Sequence, residues 1–369
     1  MYYLIEWTGY QPEDNTWEAE ENLMGNKGLI ADFKEAYSKQ HPHTKFHGDR
    51  SVGVRRLVLQ GVYDPDTKRH SPTFEQKHKY VIDSLFLFFF SRSQGHELIF
   101  DQHGNMTFKN VTPKVTVVNE IDDTSFPEQF VFIDKLVFSK RVSVPDPDFL
   151  IGCECQHSCL KTNNEECHEE WTYDSRGKLK PGCTGPLYEC NLACQCKASC
   201  PNRVVQRGRT VALEIFQTKS KGWGVRCKTK IMANSFVEEY LGEVITEAQG
   251  EARGTIYDRI GVSYLFDMDS AVTEGTTAKY VIDSYVCGNA SHFFNHSCNP
   301  NLTVFGVYHD SGDPYFHRLA FFALRDIEAG EELTFDYLGS HGLLPSNTHA
   351  QQRIECLCDD NACRGFIHS

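Results

Sequence analysis

The chain has 369 residues, 40% of them hydrophobic and 12% aromatic, enough for two or three domains with cores of their own. Its formal charge of −13, from 37 basic and 50 acidic residues, works against binding to duplex DNA and suits a basic peptide. The apolar run Leu85 to Phe90 is far too short to span a bilayer, so no membrane partner is expected.

From the amino end, Tyr2 to Tyr10 alternates like a strand, and Asn15 to Glu18 with Asn22 and Leu23 predicts a second strand and a turn. Ile30, Phe33 and Tyr37 lie at helical spacing within Leu29 to Gln40, which predicts an amphipathic helix. Residues 1–45 resemble a partial chromodomain. That resemblance implies that Trp7 and Tyr10 are two walls of a cage holding methyl-lysine by cation–π attraction, with plain core packing as the alternative. Residues 46–111 carry no recognisable family motif. Asp64-Pro65-Asp66 and Ser71-Pro72 punctuate a polar stretch, read as a linker with an inserted segment of little order. Strands are predicted again at Lys114 to Glu120 and Phe130 to Ile133.

The cysteines are not scattered. Of 15, nine are Cys153, Cys155, Cys159, Cys167, Cys183, Cys190, Cys194, Cys196 and Cys200, and three more are Cys356, Cys358 and Cys363 near the carboxyl end. Thiols one to three residues apart share a turn of loop, within reach of a metal–sulfur bond of about 2.3 Å. Disulfides are the competing reading of so dense a run. The opening residues Met1 to Trp7 lack the basic stretch of a secretory signal, which favours zinc. Three tetrahedral ions need about twelve thiolate contacts, which nine cysteines supply if three of them bridge two metals. This resembles the three-zinc pre-SET module. In that family the fourth and fifth cysteines often lie close together, whereas here Cys167 precedes His168 and the next thiol is Cys183. Cys183 is the favoured ligand, with His168 as its alternative. The three tail cysteines need a fourth donor, and Cys298 is the candidate. Cys227 and Cys287 read as buried thiols acting as small hydrophobes. Asp174 to Gly177 and Pro181-Gly182 read as turns.

Beyond Cys200 the pattern is one of short strands and turns: Val211 to Phe216, Phe236 to Ile245 and Tyr264 to Met268, with one helix at Glu247 to Tyr257. Two polar strings then stand inside apolar sequence, Asn295-His296-Ser297-Cys298-Asn299-Pro300 and Glu331-Glu332-Leu333-Thr334-Phe335-Asp336-Tyr337. With Cys200 to Gly208 and Lys221 to Arg226, they resemble the SET-domain methyltransferases of heterochromatin that modify lysine nine of histone H3. The resemblance runs from about Val115 to the end. It implies a mainly β fold: short sheets with a knot-like active site over 207–340, a pre-SET module with three zinc ions over 112–206, and a post-SET module with a fourth over 341–369.

The resemblance also implies roles. Lys221, Gly222, Trp223, Gly224, Tyr264, Asn295, His296 and Phe366 would hold S-adenosylmethionine; Tyr337 and Tyr240 would be the catalytic hydroxyls; Phe266 and Phe335 would line the lysine channel. Phenylalanine at 335 implies room for an amine already methylated, hence di- and trimethylation. His292 stands where many relatives carry arginine, which implies lower basal activity. The expected function is transfer of methyl groups to the histone H3 tail in nuclear chromatin, alongside heterochromatin proteins and without sequence-specific DNA binding. Methylation of a non-histone lysine and a non-catalytic chromatin-binding module are the alternatives.

Overall fold

The computed structural model describes residues 2–7, 16–19, 56–59, 95–100, 106–127, 130–144, 150–156, 158–159, 172–260, 264–268, 279–338 and 355–367, the first three stretches as backbone alone. The chain divides into two units, Met1–Phe89 and Phe90–Ser369. In the first, β1 (Tyr2–Trp7) pairs antiparallel with β2 (Thr16–Ala19) and parallel with β3 (Arg56–Leu59). The first two strands are the expected ones, while the third comes from the stretch read as linker. The side chain of Trp7, all of Tyr10 and the predicted helix Leu29 to Gln40 lie outside the described residues.

The second unit begins with β4 (Leu98–Phe100), β5 (Met106–Phe108), β6 (Val115–Val118), β7 (Val131–Phe132), β8 (Val137–Phe138) and β9 (Leu187–Tyr188). It continues with β10 (Leu213–Gln217), β11 (Trp223–Cys227), β12 (Phe236–Glu239), β13 (Glu243–Thr246), α1 (Glu247–Ile260), β14 (Leu265–Asp267) and β15 (Tyr280–Asp283). Last come β16 (Cys287–Gly288), β17 (Asn295–His296), β18 (Leu302–Tyr308), β19 (Arg318–Ala323) and β20 (Thr334–Phe335). The fold is mainly β, as expected. Strands β4 and β5 show that the supposed linker feeds a sheet of order β11-β10-β6-β5-β4. The alternation of Met106 to Phe108 is too brief to stand out in sequence, and the pairing with β6 defines it.

The second sheet, β12-β19-β18-β9, holds one core, where Phe236, Phe305 and Phe322 pack with Tyr173, Leu179, Leu187 and Val205. Burying each such aromatic side chain contributes about 1.5–3 kcal/mol. The third sheet has the order β14-β15-β13-β8. Phe236 to Ile245 reads as one strand but forms two, because the chain changes sheets at Tyr240 to Gly242. There a Cβ on Gly242 would stand 2.4 Å from the carbonyl oxygen of Asp283, so only glycine allows the strands to approach. The change of sheet points Tyr240 inward, 5% exposed. Helix α1 starts at the predicted Glu247 and runs three residues past Tyr257, to Ile260.

Candidate functional site

The two polar strings meet. β17 lies parallel to β20 with Asn295 opposite Thr334 and His296 opposite Phe335, and the Ser297 amide donates to the Phe335 carbonyl at 3.0 Å. Asn301 joins them as well, donating to the Glu332 carbonyl at 2.8 Å and accepting from the Thr334 amide at 2.9 Å. Tyr337 is thereby carried back under the first string. Its hydroxyl donates to the Phe294 carbonyl at 2.8 Å, and its amide donates to His296 Nδ1 at 3.1 Å. Burial pushes the Tyr337 phenol well above its ordinary range, so it stays neutral.

Around it stands an aromatic passage. Ring centroids are 4.7 Å apart for Phe335 and Tyr337, 6.2 Å for Phe266 and Phe335, and 5.3 Å for Tyr240 and Phe266, with Phe321 behind at 4.9 Å from Phe335. Tyr264 stacks on His292 at 4.4 Å with nearly parallel rings. Burial pushes the His292 imidazole down to about 3, so it is neutral.

The loop joining β10 to β11 flanks the strings. Gly222 has φ of 70°, the left-handed region, and open space where a Cβ would stand. A Cβ on Gly224 would instead meet Glu332 Oε1 at 2.9 Å and Asn295 Nδ2 at 3.0 Å. Glu332 organises this corner, accepting from Asn295 Nδ2 at 2.9 Å and from Lys221 Nζ at 2.7 Å. Asn295 Nδ2 also donates to the Trp223 carbonyl at 3.2 Å, so both its amide protons are used and Oδ1 remains as an acceptor. Trp223 packs edge-on against Phe126, centroids 5.5 Å apart. A cleft of about 390 Å³ opens beside this loop, lined in part by Thr218, Lys221, Glu332, Leu357 and Cys358, within the size range of small-molecule sites. Sequence alone gives Glu332 no role, since nothing local marks which of two adjacent glutamates faces Asn295.

The thiols cluster as their spacing predicted. Sulfurs of Cys298, Cys356, Cys358 and Cys363 all lie within 4.8 Å of one another, as do those of Cys153, Cys159, Cys190 and Cys196. A tetrahedron with metal–sulfur bonds of about 2.3 Å has sulfurs about 3.8 Å apart. The pairs Cys298–Cys356 at 3.7 Å, Cys153–Cys159 at 3.6 Å and Cys159–Cys190 at 3.4 Å lie near it, so both donor sets fit zinc. None of the described cysteines is joined in a disulfide. Cys155 and Cys200 are buried in the first cluster, with Cys194 packed against it. Cys183 is partly buried and packs against the apolar core that holds Tyr173 and Leu187, following the Pro181-Gly182 turn. Cys167, a further predicted ligand, and His168, the alternative to Cys183, lie outside the described residues. Cys227 and Cys287 are fully buried, as expected.

His296 couples the tail site to the strings. Since Nδ1 accepts from Tyr337, the ring proton sits on Nε2, which faces Cys298 Sγ at 3.4 Å. Arg364, unforeseen in sequence, donates to Asp336 at 2.6 Å, and its amide donates to Cys298 Sγ at 3.3 Å. Phe366 forms a bridge with Glu355 and is 41% exposed.

Comparison with known proteins agrees with this geometry. The SET domain family matches residues 222–338, the Pre-SET motif 107–203 and the Chromo (CHRromatin Organisation MOdifier) domain 1–36. The fold is similar to that of the Neurospora SET domain protein DIM-5, a histone lysine methyltransferase, with 37% identity and a TM-score of 0.55 over 60% of this chain and 94% of that one. KRYPTONITE in complex with mCHH DNA, an H3(1-15) peptide and SAH is similar at 28% identity and a TM-score of 0.57, over 69% of this chain and 51% of that one. Fold and site thus define a SET-domain histone-lysine N-methyltransferase. Histone-lysine N-methyltransferase SUV39H1 of Xenopus laevis is 34% identical over 99% of this chain and 85% of its own length. The Schizosaccharomyces pombe enzyme described as H3 lysine-9 specific is 40% identical over 69% of this chain, and the match spans 55% of that enzyme's length. The chain belongs to the SUV39 family of these enzymes.

Proposed function

We propose that this protein transfers methyl groups from S-adenosylmethionine to lysine nine of the histone H3 tail, and that it does so in nuclear heterochromatin with other heterochromatin proteins as neighbours. The observation carrying this reading is the parallel pairing of β17 with β20, which sets Tyr337 beside Asn295 and His296 at the end of the aromatic passage. What S-adenosylmethionine supplies when bound is a methyl group on a positively charged sulfur. Lys221, Gly222, Trp223, Gly224, Tyr264, Asn295, His296 and Phe366 hold it in this reading, with Asn295 Oδ1 as an acceptor for an ammonium and Gly222 leaving the backbone approachable.

The chain's own residues then align the amine. Tyr240, Phe266, Phe335 and Tyr337 exclude water around the lysine side chain, which favours its neutral form. Tyr337 is a poor base, and with its proton on the Phe294 carbonyl its oxygen is left to accept from the amine. The lysine proton departs to solvent. Phe335, with no hydroxyl, leaves room for an amine already methylated, so di- and trimethylation are the products. Zinc would hold the frame, three ions in the pre-SET cluster and one at the tail; the two groups of four converging sulfurs support metal at both places. Trp7 and Tyr10 belong to a methyl-lysine reader.

The test is methylation of an array of lysine-bearing peptides, read by mass. Di- and trimethyl product at lysine nine of the H3 peptide is expected. Preference for a non-histone peptide would redirect the substrate assignment, and transfer to no peptide despite cofactor binding would leave a non-catalytic module.

A further inference from the structure

The geometry points to Ser284 as a positioning residue that fixes the hydrogen-bonding polarity of Tyr240, an inference that rests on the lysine-methyltransferase reading. Ser284 follows the last residue of β15 and is fully buried. Its Oγ lies 2.7 Å from the hydroxyl of Tyr240, and that hydroxyl lies 2.9 Å from the carbonyl oxygen of Tyr264. A carbonyl only accepts, so the single proton of Tyr240 is committed to Tyr264. The 2.7 Å contact then runs from the Ser284 hydroxyl to the Tyr240 oxygen. On its other side Ser284 Oγ stands 3.3 Å from His292 Nδ1, which donates to the Ser284 carbonyl at 2.8 Å with Oγ as a second, weaker acceptor. His292 is neutral, so it has one ring proton, and the direct contact with a carbonyl puts that proton on Nδ1.

Order along the chain is therefore settled: His292 to Ser284 to Tyr240 to Tyr264. Tyr240 keeps one oxygen lone pair, and its proton is held by the Tyr264 carbonyl. A phenol whose proton could swing would donate to the amine lone pair, the same electron pair that must attack the methyl carbon. Ser284 keeps Tyr240 an acceptor, able to hold an N–H of the amine and leave the attacking pair free. The serine is itself rigid, because neighbouring Asp283 accepts from Arg253 at 2.7 Å and from Tyr257 at 2.8 Å.

The test uses the full chain, an H3 peptide and S-adenosylmethionine, comparing wild type, Ser284→Ala, Ser284→Cys, Tyr240→Phe and the Ser284→Ala/Tyr240→Phe double variant. Ser284→Ala should lower kcat about three- to tenfold, the effect of one net hydrogen bond. KM for peptide and the melting temperature should stay near wild type, with Ser284→Cys intermediate. With the Tyr240 hydroxyl already removed, the alanine change should alter the rate by less than about twofold. A wild-type kcat in Ser284→Ala, an equal loss in both backgrounds, or a loss confined to KM and melting would overturn the role. A wild-type protein that transfers no methyl while binding cofactor would instead sink the underlying enzymatic reading, and the role with it.

Discussion

Tyr337 commits its hydroxyl proton to the Phe294 carbonyl at 2.8 Å inside a buried pocket, so its value to catalysis lies in a fixed oxygen and not in ionisation. Replacing Tyr337 by Phe should lower kcat by about 10²-fold, the usual cost of one preorganised polar group at a reacting centre, with melting little changed. A loss of less than about threefold in steady-state assays would remove Tyr337 from the catalytic role. Two histidines, His292 and the fully buried His317, set a pH response. Burial pushes His292 down to about 3 and His317 down to about 4, both below the ordinary value near 6.5. Above pH 6.5 neither the folded nor the unfolded chain protonates them, and their contribution to stability is intact. As pH falls from 6.5 toward 4 the unfolded chain takes up protons that the folded chain refuses, so stability drops. Melting temperature should fall through that window, and His317→Gln should flatten the decline relative to wild type. Identical slopes would show that His317 has no part in it. Nothing adjacent to His292 in sequence announces Ser284 or Tyr264 as its partners, so this chemistry was not legible before folding.

At the scale of elements, α1 is anchored by a buried ionic group. Arg253 Nη1 donates to Glu243 on β13 at 2.5 Å and to Asp283 on β15 at 2.7 Å, all three residues being buried. Tyr257, one turn further along α1, adds its hydroxyl to Asp283 at 2.8 Å. Removing the cation leaves two carboxylates out of water, so Arg253→Met should cost roughly 3–5 kcal/mol, measured by denaturant unfolding. A change below about 1 kcal/mol would show that the carboxylates find water. The helix was legible because Glu, Ala and Arg favour it. Its docking was not, since Glu243, Arg253 and Asp283 are an ordinary distribution of charge until the sheet register brings them together. The same holds for Phe236 to Ile245, whose division into β12 and β13 depends on Asp283 crossing Gly242.

For the whole molecule, metal is the largest single lever. Structural zinc sites contribute about 10–16 kcal/mol in small peptides, against a net stability of about 5–15 kcal/mol for a typical domain. Chelation should therefore unfold the pre-SET segment and, by releasing Cys298 from Cys356, Cys358 and Cys363, abolish methyl transfer. Circular dichroism and activity measured together, then again after zinc is restored, check this. Activity that survives full zinc loss would break the link from His296 through Cys298 to the tail. Cysteine spacing and the two polar strings were readable because metal ligation and short motifs are local: Cys356 and Cys358 must share a turn whatever else the chain does. The same locality explains the recognisable strands of β1, β2, β6 and β10. Tertiary structure alone decided that Glu332 binds both Asn295 and Lys221, and that Ser284 reaches Tyr240. Those pairs join residues far apart along the chain, and only the sheet registers bring them within hydrogen-bonding or van der Waals distance.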